Sequence, residues 1–276
     1  MPDFFARRRP GRPGLAVFLN AGDPPLDTLP DLAAMLDESE VDCLELAVPF
    51  PRSATDGPVV RASARPGGGG GELDAVAAVR PGLRRLRIAL LADWSHTVRG
   101  TAPADFAVAV RDAGCDGLLL HGVPPRLRAA HYEAVRRAGL PLVTTCYAVS
   151  GPDAVAEAAD LASAYLYLVA HYGRSGTTAA LDRDRLGAVL TTLRSTASAP
   201  VAVGFGIRTA DDVARVAALG ADAAVVGSAG VSRIEQARVL GRDPVEELRS
   251  FVRGLRAPVH AHTGQPEEGI DTHDRP

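Results

Sequence analysis

Lysine is absent from this chain. All 30 of its basic residues are arginine, and the chemistry that depends on a lysine amine is missing with it. A Schiff-base aldolase is excluded, because a carbonyl substrate finds no lysine to condense with. A Walker A nucleotide loop is excluded for the same reason. Long apolar runs are missing too. None approaches the ~18 residues that read as a membrane span, and residues 1–13, which hold Arg7, Arg8, Arg9 and Arg12, lead into no secretory apolar region. The cytoplasm is the expected compartment. Cysteine is scarce: Cys43, Cys115 and Cys146 are odd in number, far apart and set in or beside apolar runs, which predicts buried free thiols in place of a disulfide or metal site. A net charge of −3 argues against a nucleic-acid binder.

A length of 276 residues at 46% hydrophobic suits one α/β barrel. Short β-branched or Leu-rich runs alternate with longer amphipathic stretches, the pattern of repeated βα units on a parallel sheet. The runs predict strands at 15–20, 42–47, 87–92, 116–121, 141–146, 164–169, 200–204 and 222–226. Helices are predicted at 27–38, 72–84, 104–113, 126–138, 152–162, 182–196, 209–219 and 244–255, with a short one at 229–236. Three helix-to-strand joints resemble one another: Gly114-Cys115-Asp116-Gly117, Gly220-Ala221-Asp222-Ala223 and the degenerate Glu40-Val41-Asp42-Cys43. Glycine just past a helix end is an ordinary C-cap, so these joints mark repetition and not chemistry. Eight such units close into a (β/α)8 TIM barrel over residues 14–258, whose active site lies at the C-terminal ends of the strands. Residues 1–13 are expected to be a flexible N-terminal segment, Gly67 to Gly71 a flexible connection, and 259–276 a disordered tail in which His260 and His262 are solvated.

Two features carry chemistry. Glu45 interrupts the apolar strand Cys43-Leu-Glu-Leu-Ala47, and a carboxylate there costs several kcal/mol unless something uses it. It is the first catalytic candidate, the bland alternative being a salt-bridged structural glutamate. Gly204-Phe-Gly-Ile207 and Gly227-Ser228-Ala229 follow the seventh and eighth strands, and each opens a helix. Glycine lets a backbone approach an anion, helix N-termini attract one, and barrels bind phosphate at these two loops. The expected substrate is a phosphate ester.

These segments, with Phe18-Leu-Asn-Ala-Gly-Asp-Pro24, Leu44-Glu-Leu-Ala-Val-Pro-Phe50, Asp56-Gly-Pro58 and Tyr165-Leu-Tyr-Leu168, resemble the α subunit of tryptophan synthase and its stand-alone relatives, the indole-3-glycerol phosphate lyases, over about residues 14–256. The resemblance implies cleavage of indole-3-glycerol phosphate to indole and glyceraldehyde 3-phosphate without metal or organic cofactor. It makes Glu45 the group that moves protons at indole C3 and the adjacent hydroxyl. Asp56 becomes the carboxylate that accepts the indole N–H, and Tyr167 a hydroxyl near the reacting glycerol or a core tyrosine. Phe18, Leu91, Tyr167 and Phe205 would contact indole, while Gly176, Gly206, Gly227 and Ser228 would bind phosphate. Ser175 stands where the family's loop threonine hydrogen-bonds the loop aspartate.

The departures concern the partner. The family's Ser-Asp-Pro stretch between the two carboxylates reads Pro51-Arg52-Ser53 here, its Asp-x-Pro after strand four reads Gly122-Val-Pro124 with His121 before it, and its Tyr-x-Asn reads Asp93-Trp94-Ser95 with His96 after it. The resemblance therefore implies a lyase whose contact surface for a β subunit is eroded, and which releases free indole. An ordinary β-dependent α subunit is the nearest alternative, followed by a non-catalytic paralogue that binds a phosphate ester; a ring-modified indole substrate is also open.

Overall fold

The computed structural model describes residues 3–50, 53, 56–64, 73–170, 183–204 and 206–257. The glycine run and the 259–276 tail lie outside them. Eight strands, β1 (Gly14–Asn20), β2 (Cys43–Ala47), β3 (Arg87–Asp93), β4 (Gly117–His121), β5 (Leu142–Tyr147), β6 (Tyr165–Val169), β7 (Val201–Gly204) and β8 (Ala223–Val226), pair in parallel and in chain order. β8 returns to β1, so the sheet closes. The ring of helices outside is α1 (Leu29–Glu38), α2 (Pro58–Ser63), α3 (Asp74–Val79), α4 (Pro103–Asp112), α5 (Pro125–Arg137), α6 (Pro152–Leu161), α7 (Arg183–Thr196), α8 (Ala210–Ala218), α9 (Ser228–Val239) and α10 (Pro244–Leu255). The chain is a TIM barrel, as the alternation of runs predicts.

Every predicted strand is present within one or two residues. The helices differ where local chemistry overrides periodicity. The stretch predicted at 72–84 is α helical only to Val79 and then tightens into a 3₁₀ turn over Arg80–Gly82, because Pro81 has no N–H for the next helical bond. The element predicted at 229–236 runs the full length of α9. α2 is unpredicted: six residues are too few to show a period, although Pro58 at the first helical position behind Gly57 is a start signal. A π turn over Trp94–Val98 is also new, and Asp93 caps it by accepting the amides of Ser95 and His96.

Alternation along the strands sorts side chains into two cores. One large cluster fills the space between strands and helices. A smaller one fills the barrel, with Ala16, Cys43, Ala89, Leu119, Val143, Tyr165, Ala202 and Val225 pointing inward. Its floor is made by residues expected to lie outside the barrel. Phe4 and Phe5 are buried, with ring centroids 5.6 and 5.2 Å from that of Tyr165. Glycine makes room for them: a Cβ at Gly14 would stand 2.6 Å from the Phe5 ring, and one at Gly117 would stand 2.9 Å from Phe4. Arg7 and Arg8 tie this plug down through Asp42 at 3.0 Å and Asp222 at 3.1 Å. The segment 1–13 is therefore corrected from a free extension to a floor, at least from Phe4 onward.

The three similar joints have a structural role that caps alone do not explain. Asp42, Asp116 and Asp222 each stand just before an even-numbered strand and accept an amide of the strand before it, from Leu15, Ile88 and Val201, at 2.8–2.9 Å. Ser163 does the same for Leu142 at 2.8 Å. The floor thus consists of four clasped strand pairs. Gly114 and Gly220 have φ of +97° and +94°, and Glu40 occupies the matching place at +59°, which is why the third joint looks degenerate in sequence.

Candidate active site

At the opposite end the inward positions of the strands enclose a cavity of about 130 Å³. β1 contributes Phe18, β2 Glu45 and β3 Leu91, one residue each from the inward-facing set. β6 contributes Tyr167, which reaches across β7 because Gly204 lacks a side chain there; a Cβ at Gly204 would stand 2.3 Å from the Tyr167 ring. Asp56 and Val60 descend from the loop before α2 and from α2 itself. That helix is anchored by buried Asn20 at the end of β1, whose amide donates to Ser63 Oγ at 2.6 Å and to the Val60 carbonyl at 3.2 Å.

Glu45 is 3% exposed and has no cationic partner among the described residues. Its Oε1 accepts a hydrogen bond from the Tyr165 hydroxyl at 2.6 Å. Burial disfavours the carboxylate and pushes Glu45 up to about 7, against the downward pull of that hydrogen bond. Tyr165 and Cys43, both buried beside it, are held neutral well above their ordinary ranges, chiefly by desolvation. Among the described residues no ion pair supports the structural alternative of a salt-bridged glutamate.

The raised carboxyl links proton binding to folding. The folded protein holds the Glu45 proton up to about 7, whereas the unfolded chain releases it near 4.5. The folded state is therefore favoured below 4.5 and loses that advantage as pH rises through 7. Glu45→Gln cannot ionise, and it is expected to be more stable than wild type by roughly 3 kcal/mol at pH 8 and about equal at pH 4. Urea unfolding of the two proteins at both pH values checks this.

Asp56 is also raised, first by burial; a hydrogen bond from Ser53 and the charges of His121 and Arg61 oppose the shift. Both carboxyl groups thus share one cavity, Glu45 fixed in a strand and Asp56 at a helix entrance. Of the residues expected to meet phosphate, Gly227 and Ser228 reach the cavity. Gly227 caps α9 and, with Ser228, lines the cavity. Gly206 has φ of +78°, and among the described residues a Cβ on either glycine would meet nothing within 4 Å. Among the described residues nothing stands against the α9 N-terminus at Gly227. Ser175, Gly176 and Phe205 lie outside the described residues.

Several residues of the site were given no catalytic or binding role by the sequence argument. Tyr165 had a detectable signal, since it lies two residues before Tyr167 and shares its face. His121, Thr145 and Tyr147 complete the wall on β4 and β5, at strand C-terminal ends where inward polar residues read as functional. Beside them Phe50 stacks on the His96 ring at 5.3 Å and on the His121 ring at 6.4 Å. His96 in turn meets Asp93 at 2.8 Å. Burial would raise Asp93, but bonds from Ser95 and His96 overcome it and hold the carboxylate below its usual range. All three cysteines are buried and free. Among the described residues no three His, Cys, Asp or Glu side chains are grouped to hold a metal, and no helix is long and apolar enough to cross a membrane.

A closed parallel α/β barrel with two desolvated carboxyl groups in its C-terminal mouth defines the class of protein. The sequence narrows it. A model of the tryptophan synthase alpha chain matches residues 4–260, and the chain belongs to that family. It is 35% identical over 261 residues to the tryptophan synthase alpha chain of Burkholderia thailandensis, covering 93% of this chain and 94% of the other. It is 31% identical over 268 residues to that of Zymomonas mobilis, with the same coverage. The fold matches a variant alpha subunit from Pyrococcus furiosus with a TM-score of 0.78, at 24% identity over 90% of this chain and 99% of that one. The alpha subunit from Legionella pneumophila gives 0.77, at 24% identity over 89% and 92%.

Proposed function

We propose that this chain cleaves indole-3-glycerol phosphate to indole and glyceraldehyde 3-phosphate, and that it releases the indole without a β subunit. The observation that carries the chemistry is Glu45, a neutral-range carboxyl buried in the same cavity as Asp56. The phosphate lies against the Gly206, Gly227 and Ser228 backbone, and the indole against Phe18 and Leu91. Glu45 in its acid form gives its proton to C3 of the indole, and positive charge develops on the ring nitrogen. Asp56 as carboxylate accepts the N–H and stabilises that charge. The Glu45 carboxylate then takes the proton of the glycerol hydroxyl next to the breaking bond. The carbon–carbon bond electrons return to the ring, the hydroxyl carbon becomes an aldehyde, and Glu45 is again protonated. A group balanced near neutrality suits both halves of this exchange.

Release of free indole is supported by the residues that replace the family's contact segments. Of these, Asp93 bonds His96, and the His96 and His121 rings both stack on the retained Phe50 at the mouth.

The purified chain alone is expected to release indole at about 1 s⁻¹, with no more than about a threefold gain on adding a tryptophan synthase β subunit. A much larger gain would overturn independence and leave the chemistry standing. Absence of turnover with and without that subunit would overturn the lyase assignment. Asp56→Asn keeps the shape but removes the negative charge, and is expected to lower kcat about a hundredfold in the same indole-release assay.

A further inference from the structure

The wall farthest from the phosphate end is polar and split. In a ring of eight strands in chain order, β4 stands across from β8, so the far end of a substrate anchored at Gly227 points toward β4 and its neighbour β5. The ladder between these two strands holds only Leu118 with Leu142 and Leu119 with Val143. Past that point no pairing joins His121 to the strand bearing Thr145 and Tyr147, whereas β5 stays paired to β6 as far as Tyr147. A cleft of about 300 Å³ occupies this break and reaches Arg128, Tyr132 and Glu157 on the helices outside. It shares Leu119, His121, Thr145 and Tyr147 with the central cavity.

Thr145 is exposed although it lies within a strand. Among the described residues, neither its hydroxyl nor the ring nitrogens of His121 have a hydrogen-bond partner. An unsubstituted indole offers only C–H groups at its carbocyclic edge. Seated here, it would strip water from Thr145 and His121 and give nothing back.

We infer that the preferred substrate carries a hydroxyl on the carbocyclic ring of the indole, which enters the break between β4 and β5 and hydrogen-bonds to Thr145 and His121. This rests on the lyase reading above and adds to it the class of indole. A hydroxyl donates to one group and accepts from the other, and sites built to bond a hydroxyl discriminate strongly against analogues lacking it.

The test compares kcat/KM for indole-3-glycerol phosphate and its 4-, 5-, 6- and 7-hydroxy forms, using wild type, Thr145→Val, Thr145→Ser and His121→Leu. Calorimetric binding of indole and the four hydroxyindoles runs in parallel. One hydroxy form is expected to exceed the parent by at least about tenfold. That ratio should collapse in Thr145→Val and His121→Leu and be retained in Thr145→Ser. Cleavage with the parent preferred, or a preference that survives both disruptive variants, overturns the inference and leaves the lyase reading intact. If nothing is cleaved but a hydroxyindole binds at least about tenfold tighter than indole through Thr145, the lyase reading falls and the assignment of the cleft stands. If nothing is cleaved and no hydroxyindole is favoured, both fall.

Discussion

Glu45→Gln is expected to lower kcat for indole release by roughly a thousandfold while leaving KM within a few fold. The amide matches the carboxyl in shape and still accepts the bond that Tyr165 makes at 2.6 Å, so the cavity is preserved and only proton transfer is lost. A fall in kcat with KM preserved is the mark of an interaction made in the transition state. The wild-type pH profile supplies an independent reading. Because the acid form of Glu45 starts the reaction, kcat/KM is expected to fall as pH rises through about 7, the value to which burial lifts this group. Tyr165→Phe removes a bond that favours the carboxylate, so the falling limb should move to higher pH. Stopped-time indole assays from pH 5 to 9 decide the matter, and a Glu45→Gln enzyme that retains a tenth of wild-type kcat would remove Glu45 from the chemistry.

Phe5→Ala is expected to cost about 3–5 kcal/mol of folding stability, the range for emptying a fully buried phenylalanine site. The ring is 0% exposed, packs edge-on against Tyr165, and occupies space that Gly14 leaves for it. Little can collapse into the void, because the strands around it are closed into a ring and clasped at their starts. Denaturant unfolding of wild type and Phe5→Ala measures the difference, and a loss under 1 kcal/mol would show that the plug is not part of the core. Tyr165 links this floor to the site, since the ring that Phe5 supports carries the hydroxyl that holds Glu45.

The eight strands were legible because a buried parallel strand is a run of apolar side chains whatever its neighbours are. Glu45 was legible for the converse reason, a charge where the run should continue. What needed the structure was anything that depends on closure. Tyr165 meets Glu45 across 120 residues of sequence, and no spacing rule connects them. Phe4 and Phe5 were hidden by the arginines that follow, which read as a solvated segment; Arg7 and Arg8 turn out to pair with the same Asp42 and Asp222 that clasp the strands. The β4–β5 break was invisible because each strand has an ordinary composition, and only the register shows where their pairing stops.

The floor plug also sets an order of events for a chain that is made from its N-terminus. Phe4 and Phe5 leave the ribosome ahead of all eight strands, yet the ring they pack against, Tyr165, belongs to β6. More than half of the polypeptide must exist before these two side chains can reach their places. Until then they are apolar groups beside a tethered and incomplete sheet, the kind of exposed surface that chaperones hold. A segment synthesised before every strand of the barrel is thus among the last to settle.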